Sequence, residues 1–229
     1  MDLLRTLDEK VSPGRAVVVT VDVQNDFCHE VGFLGRLGAP MGLIQAMVPR
    51  LVRLLDAARE RGVPIMHVIS HHDEEYASPV VTEQKLRHGL PMELDGRPRR
   101  DAPYCLKGTW GAKLYGIEAR SGEEIVVKHR YSGFKGTNLD LLLRSAGIQT
   151  VILTGVATNV CVESTGRDVY MHDYYLVFVS DGTATTSPAA HEATLANIDQ
   201  FFGQVACIDA IVAAWAGVPA RARAVAIGR

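Results

Sequence analysis

The sequence predicts an α/β protein of one domain, with a doubly wound, mainly parallel sheet and helices on both of its faces. Six short apolar runs indicate the strands, because they are rich in β-branched residues and lack the polar alternation of a half-exposed strand. The runs are Ala16 to Val21, Pro64 to Ser70, Glu124 to Lys128, Thr150 to Gly155, Tyr175 to Ser180 and Gln204 to Ile208. Segments with helical periodicity lie between most of them, and alternation of this kind favours a parallel sheet.

Four helices are predicted between or after these strands. They are Gly42 to Arg61, Asn138 to Ser145, Val162 to His172 and Pro188 to Phe202. Gly62 and Gly147 follow the first two of them, and glycine just past the last turn is a common end of a helix. A chain of 229 residues suits a single α/β domain. We therefore predict one domain over residues 1–229, with sheet order 3-2-1-4-5-6.

Two parts of the chain fall outside this pattern. Residues 71–122 contain few strand signals, and a segment of this length without strong structure of its own is usually functional or interfacial. We interpret it as an excursion from the sheet that serves as a lid. Residues 218–229 are basic and are predicted to form a C-terminal tail.

The composition excludes several classes of partner. With 24 basic and 26 acidic residues the net charge is -2, which gives no electrostatic basis for binding nucleic acid or an anionic membrane. No apolar run reaches the roughly 18 residues of a membrane span. The four cysteines form no CxxC pair and the N-terminus is charged, so a reduced, cytoplasmic setting is predicted. A small-molecule substrate is the expected partner.

Three side chains with useful chemistry lie at the carboxyl ends of predicted strands. Asp22 follows the first strand, Lys128 ends the third, and Cys161 lies a few residues past the fourth, near the start of a helix. In a doubly wound sheet these ends meet at one crevice where ligands bind. The helix N-terminus and Lys128 are expected to lower the thiol pKa, which predicts a thiolate near neutral pH. Asp22 is the candidate proton carrier, and the backbone amides near Ala157 and Cys161 are candidates for an oxyanion hole.

Each of these residues also has an ordinary structural alternative. A single cysteine in an apolar chain often fills space in the core. An aspartate after a strand often caps the next helix, and a single lysine is usually solvated. Their common location favours a catalytic site, but a non-catalytic binding protein with the same fold stays open on these grounds.

Three blocks of the sequence resemble those of the isochorismatase-like cysteine hydrolases. The blocks are VTVDVQNDF, VVKHRYSGFKGTNLDLLLRSAGI and TGVATNVCVESTGRD. The resemblance implies that Asp22, Lys128 and Cys161 are the catalytic residues. It also implies an oxyanion hole from the backbone amides of Ala157 and Cys161, and a cis peptide bond between Val156 and Ala157. Members of this superfamily are commonly dimers or tetramers, so a homo-oligomer is expected.

Shorter pieces resemble one branch of the superfamily, the hydrolases of ureidoacrylate, biuret and triuret. These pieces are KGTWG, KHRYSGFKGTNLD, ATNVCVESTGRD and NIDQFFG. The resemblance implies cleavage of a C–N bond beside a ureido or carbamoyl group through a covalent acyl-enzyme, with release of ammonia or an amine and without a cofactor. The alternatives are an amidase of N-carbamoylsarcosine or nicotinamide, an isochorismatase proper that hydrolyses a vinyl ether, and a binding protein without activity.

Five residues are candidates for contact with the substrate. Gln24, Asn25 and Phe27 follow Asp22 closely and are candidates for the mouth of the site, although amide residues are also common in turns. Trp110 and Tyr131 are candidates for an aromatic wall against a planar ureido group. Packing in the lid or at a subunit interface is the alternative for both.

Arginine and histidine residues raise the possibility of a site for a substrate carboxylate and of a metal site. Arg130 and Arg167 are candidates for binding a carboxylate, and a surface ion pair is the alternative for each. His71 and His72 are adjacent, so an extended chain turns them in different directions, which suits a shared metal poorly. No metal site is predicted.

Overall fold

The computed structural model describes residues 3–217, and these contain eight strands. The strands are β1 (Ala16–Val21), β2 (Ile65–Ser70), β3 (Glu93–Leu94), β4 (Arg97–Pro98), β5 (Glu124–Lys128), β6 (Thr150–Val156), β7 (Tyr175–Ala184) and β8 (Gln204–Ala206). The main sheet is parallel, with order β5-β2-β1-β6-β7-β8, and β3 and β4 form a separate antiparallel hairpin. The sequence-based prediction did not include this hairpin. Predicted strands 3, 4, 5 and 6 therefore correspond to β5, β6, β7 and β8 of the structure. Without the hairpin, the six strands stand in the order 3-2-1-4-5-6.

The described helices surround this sheet. They are α1 (Leu7–Lys10), α2 (Asn25–Cys28), α3 (Phe33–Arg36), α4 (Gly42–Arg61), α5 (Pro79–Arg87), α6 (Leu139–Ser145), α7 (Glu163–Met171), α8 (Pro188–Phe201) and α9 (Ile208–Ala216). A 3-10 turn covers Glu74–Tyr76 and a π-helical turn covers Thr158–Val162.

The last strand is shorter than predicted, because a helix takes over its final residue. The sequence run was expected to continue to Ile208, but β8 ends at Ala206 and α9 begins at Ile208. Ile208, Ile211 and Trp215 are all buried, and their spacing of three and four residues is that of one helix face. This helical period, which the sequence-based prediction missed, decides the boundary.

Both faces of the sheet are covered by apolar side chains. All six residues of β1 are buried, which agrees with the absence of polar alternation in that run. One hydrophobic cluster joins the sheet to α4 and α9 and includes Leu51 and Ile211. A second joins the opposite face to α6, α7 and α8 and includes Leu143 and Ile198. The prediction of a doubly wound sheet in a single domain is confirmed.

Residues 71–122 hold more structure than the sequence indicated. They include α5 and the hairpin, and α5 begins with Ser78 as its cap, whose Oγ accepts from the Val81 N–H at 3.4 Å. A small apolar cluster ties the segment to α3, through contacts that include Phe33 and Tyr104. Its role as a lid stays a prediction. The tail predicted over residues 218–229 lies outside the described residues, and no helix within 3–217 has the length and apolarity to cross a membrane.

Candidate active site

Cys161 lies in the chain reversal between β6 and α7. The prediction put it near the start of a helix at Val162, whereas the structure places it within the π-helical turn that precedes α7. The peptide bond between Val156 and Ala157 is cis, as the resemblance implied. Gly155 has φ 115°, a conformation that favours glycine, and a Cβ there would collide with the Val21 carbonyl of β1. Glycine therefore lets the end of β6 approach the end of β1 closely.

Asp22 and Lys128 form a buried ion pair at the carboxyl ends of their strands. Asp22 Oδ2 lies 2.7 Å from Lys128 Nζ, and both side chains are 1% exposed. Asp22 adopts a left-handed backbone conformation, with φ 54°, directly after β1. Apart from this ion pair, Asp22 Oδ2 has no hydrogen-bond partner in the described part of the chain, so it can accept a proton from a neighbouring group.

Ser70 connects the two charged residues, and sequence reasoning missed it. The Ser70 hydroxyl donates to Asp22 Oδ1 at 2.9 Å and accepts from Lys128 Nζ at 2.8 Å. Lys128 also donates to the Arg130 carbonyl at 3.1 Å. Ser70 ends β2 and pairs in register with Lys128, so the rule that selected Asp22 and Lys128 also applied to this serine. Its hydroxyl fixes the relative position of the carboxylate and the ammonium.

The electrostatic surroundings keep Cys161 protonated. Burial raises the pKa of the Cys161 thiol to about 12; Lys128 opposes this rise, while Asp22 adds to it, through both charge and hydrogen bonding. The prediction of a thiolate near neutral pH is therefore wrong, because burial outweighs the charge of Lys128. For Lys128 itself, burial acts to lower the pKa, but Asp22 and Cys161 outweigh burial and the pKa is raised. The site consists of a thiol, a carboxylate and an ammonium, and the thiol needs a base to become a nucleophile.

The turn before Cys161 exposes a backbone donor. The Ala157 carbonyl accepts from the Val160 and Val162 N–H groups at 3.0 Å and 3.2 Å. The Ala157 N–H donates to no group among residues 3–217. A backbone N–H without an internal partner beside a nucleophile is available to a substrate oxygen.

Gln24 and Asn25 anchor a loop beside the site. Gln24 is fully buried; its side-chain amide donates to the carbonyls of Ser70 and Ala112 at 3.0 Å and 2.8 Å, and its Oε1 accepts from the Ser70 N–H at 2.8 Å. Asn25 donates from Nδ2 to the Trp110 carbonyl at 2.8 Å. Both side chains thus hold the loop of residues 110–112 near the end of β2. Contact of either amide with substrate stays a prediction.

The three aromatic candidates lie in different surroundings. Phe27 packs edge-on to Tyr104 with 5.5 Å between ring centroids, and Trp110, 44% exposed, packs edge-on to His29 at 5.2 Å. Tyr131 is also 44% exposed, and it follows Arg130, whose carbonyl accepts from Lys128 Nζ at 3.1 Å. Burial raises the pKa of the Tyr131 hydroxyl. Contact of any of these three rings with substrate stays a prediction.

Each candidate arginine already has partners in this conformation. Arg130 donates to the carbonyls of Tyr76 and His129 at 3.0 Å and 2.6 Å. Arg167 forms an ion pair with Glu163 at 2.7 Å. Within the described part of the chain, no group of three or more His, Cys, Asp and Glu side chains is arranged to hold a metal ion.

Replacing Ser70 with alanine should lower kcat about 10- to 100-fold, because hydrogen bonds to charged groups contribute about 1.5–3 kcal/mol each. Steady-state kinetics of the purified variant would measure the loss. Ser180→Ala is the matched control, since the Ser180 hydroxyl donates to the Ala206 carbonyl at 3.4 Å and to no charged group among residues 3–217. An unchanged kcat for Ser70→Ala would mean that the serine does not position the ion pair for catalysis.

Comparison with known proteins gives a consistent set of relatives. The sequence profile described as "Isochorismatase domain" matches residues 16–210. A ureidoacrylate amidohydrolase of Methylobacterium radiotolerans is 34% identical over 218 residues, which cover 93% of this chain and 84% of that relative. A solved isochorismatase-like hydrolase from Alkaliphilus metalliredigens is 30% identical, with a TM-score of 0.68 over 88% of this chain and 99% of that one. The solved N-carbamoylsarcosine amidase from Thermoplasma acidophilum is 27% identical, with a TM-score of 0.65 over 85% and 97% of the two chains.

Proposed function

Because the chain belongs to the isochorismatase family, we propose that it is a cysteine-dependent amidohydrolase that cleaves a C–N bond of a small ureido or carbamoyl compound. The observation that carries this proposal is the buried ion pair of Asp22 and Lys128, 2.7 Å apart, whose two members both influence the pKa of the Cys161 thiol. A buried ion pair is a weak source of stability, since desolvation offsets most of the attraction. A role in activating the nearby thiol explains the buried pair better than a role in stability does.

The first half of the proposed reaction forms an acyl-enzyme. Asp22 takes the proton from the Cys161 thiol as the sulfur attacks the ureido carbonyl carbon. Lys128 stabilises the negative charge on sulfur while the proton moves. The carbonyl oxygen gains negative charge in the tetrahedral intermediate, and the backbone N–H groups of Ala157 and Cys161 stabilise it.

The second half releases the products. Asp22 returns its proton to the leaving nitrogen, the C–N bond breaks, and ammonia or an amine departs. Cys161 now carries the carbonyl carbon as a thiocarbamate or thioester. Asp22 then takes a proton from water as the water attacks that carbon, and the C–S bond breaks with return of the proton to sulfur. The sequence of steps balances without a metal ion or an organic cofactor.

The relatives favour a ureido substrate over other small amides. The curated relative from Methylobacterium radiotolerans is named for ureidoacrylate, and the solved relative from Thermoplasma acidophilum is named for N-carbamoylsarcosine. Both names describe a carbamoyl group on nitrogen, so the proposed class is a ureido compound such as ureidoacrylate, biuret or triuret. A homo-oligomer in the cytoplasm is part of the same proposal and rests on the resemblance and the composition.

The test is ammonia release from ureidoacrylate, biuret, triuret, N-carbamoylsarcosine and nicotinamide, measured side by side. We expect one ureido compound to react with kcat/KM of about 10⁴ M⁻¹s⁻¹ or above, the lower end of the usual range for enzymes. Protein with Cys161→Ala serves as the blank for each compound. Turnover of nicotinamide alone, or of none of the five, would overturn the ureido assignment.

A further inference from the structure

A second group of polar side chains lies beside the catalytic thiol, and all of it comes from residues 71–122. The members are His72, Lys85, Asp101 and Tyr104, all largely buried. Lys85 is on α5, which brings it from the excursion into the interior. His72 follows His71, whose N–H donates to the Lys128 carbonyl at 3.0 Å, so this second group begins beside the catalytic one. Burial lowers the pKa of Lys85, and the charge of Asp101 opposes that effect.

Asp101 already has a partner for each carboxylate oxygen. Its Oδ2 lies 3.1 Å from His72 Nδ1, and its Oδ1 accepts from the Ala102 N–H at 2.8 Å. The pKa of Asp101 is lowered: burial acts to raise it, but the hydrogen bond and charge of His72 and the charge of Lys85 outweigh that effect. Asp101 is therefore ionised and has hydrogen-bond partners for both oxygens. Its negative charge stabilises the nearby Lys85 ammonium.

Lys85 lacks such partners. The residue is 5% exposed, yet its ammonium makes no hydrogen bond and has no carboxylate within 4.0 Å among residues 3–217. Its Nζ lies 4.4 Å from the centroid of the Tyr104 ring, a cation–π contact that holds the side chain in place. An ammonium has three donors and no acceptor, and leaving it buried without an acceptor is costly. A buried ammonium without an acceptor is expected where a bound ligand supplies the acceptor.

We propose that the Lys85 ammonium binds the carboxylate of the substrate and thereby holds the ureido carbonyl against Cys161. This inference rests on the proposed function and narrows it to ureido acids that carry a carboxylate. The two arginines that the sequence suggested for this role are engaged with Tyr76, His129 and Glu163. Lys85 is a buried cation near the thiol with its donors free, so the assignment of the carboxylate partner moves from the arginines to the excursion.

The test measures binding in the Cys161→Ala protein, which is expected not to consume the ligand. Isothermal titration calorimetry would compare ureidoacrylate, which has a carboxylate, with biuret, which has none. Adding Lys85→Met, which keeps the length and removes the charge, should weaken ureidoacrylate binding roughly 10- to 100-fold, the range expected for a hydrogen bond to a charged group. Biuret affinity should stay within about twofold. Arg87→Met is the matched control, because Arg87 is on the same helix, exposed and paired with Glu83.

The outcomes separate this inference from the reaction itself. Equal losses for both ligands, or no loss for ureidoacrylate, would overturn the carboxylate site, as would the absence of ureidoacrylate binding to the Cys161→Ala parent. The turnover measurements on the five compounds bear on the reaction independently of these affinities. If no compound reacts but ureidoacrylate binding depends on Lys85, the proposed reaction falls and the carboxylate site stands. In the active enzyme the same substitution should raise KM for ureidoacrylate and leave kcat/KM for biuret unchanged.

Discussion

Replacing Cys161 with alanine should reduce turnover by about 10⁴-fold or more, the scale seen when a catalytic nucleophile is removed. Sulfur is the atom that attacks the carbonyl carbon in the proposed reaction, and neither Asp22 nor Lys128 can substitute for it in forming the acyl-enzyme. Ammonia release from the preferred ureido substrate would measure the loss. Circular dichroism and thermal unfolding of the variant should remain close to those of the parent, since alanine is smaller and apolar.

A second cysteine provides the control for this prediction. Cys207 is exposed, at the start of α9, and Cys207→Ala should leave turnover unchanged. If Cys161→Ala retained substantial activity, the covalent route would be excluded and the ion pair of Asp22 and Lys128 would have to activate water directly.

The location of the candidate catalytic residues could be predicted because a parallel sheet brings strand ends together. Asp22, Lys128 and Cys161 are far apart in sequence, but each follows or ends a strand of the main sheet, and these strands are readable from their β-branched runs. The ion-pair distance of 2.7 Å between Asp22 and Lys128 confirms the convergence that strand order implied. Ser70 satisfied the same criterion and was overlooked because a serine at a strand end carries no distinctive signal by itself.

The excursion could not be predicted in the same way. Lys85 is on a helix whose nine residues give only a weak apolar period, and its burial depends on Tyr104, Asp101 and His72, which lie at irregular distances along the chain. Gln24 gives a second example, since its side-chain amide bonds to Ala112, 88 residues away. Contacts of this kind depend on the conformation of a long loop in the folded protein, and that conformation cannot be predicted from residue types alone.

The thiol pKa was predicted with the wrong sign for a related reason. The sequence displays the charged residues that act on Cys161, namely Lys128 and Asp22, but burial is the largest influence and depends on the folded surroundings. With the pKa at about 12, the thiol keeps its proton at neutral pH. Rapid alkylation of the unmodified protein near pH 6 is therefore not expected, and the need for Asp22 as a base becomes greater.

Replacing Asp22 with asparagine should change turnover and thiol reactivity in opposite directions. Turnover should fall about 10²- to 10⁴-fold, the contribution usual for a general base, because no neighbouring group then takes the thiol proton. Alkylation of Cys161 by iodoacetamide at pH 7 should become at least about fivefold faster, since thiolate is the reactive form. Asp22 raises the thiol pKa and Lys128 lowers it, so removing the carboxylate leaves burial as the remaining influence against Lys128, and the thiol pKa falls. At any pH below the thiol pKa, a lower pKa gives more thiolate.

The measurement is the rate of carbamidomethylation at Cys161, followed by mass spectrometry of the peptide that contains it. Exposed Cys207 serves as the internal control, because its rate should be the same in both proteins. Asn lacks the charge of Asp22 and leaves Lys128 buried without its counter-ion, so thermal unfolding of the variant should be recorded to establish that it is folded at the assay temperature. If turnover fell while the Cys161 rate stayed the same or decreased, Asp22 would not act on the thiol electrostatically. If alkylation of Cys161 became faster while turnover became slower, the site would be shown to need two things: a nucleophilic sulfur, and a base that carries the thiol proton to the leaving nitrogen.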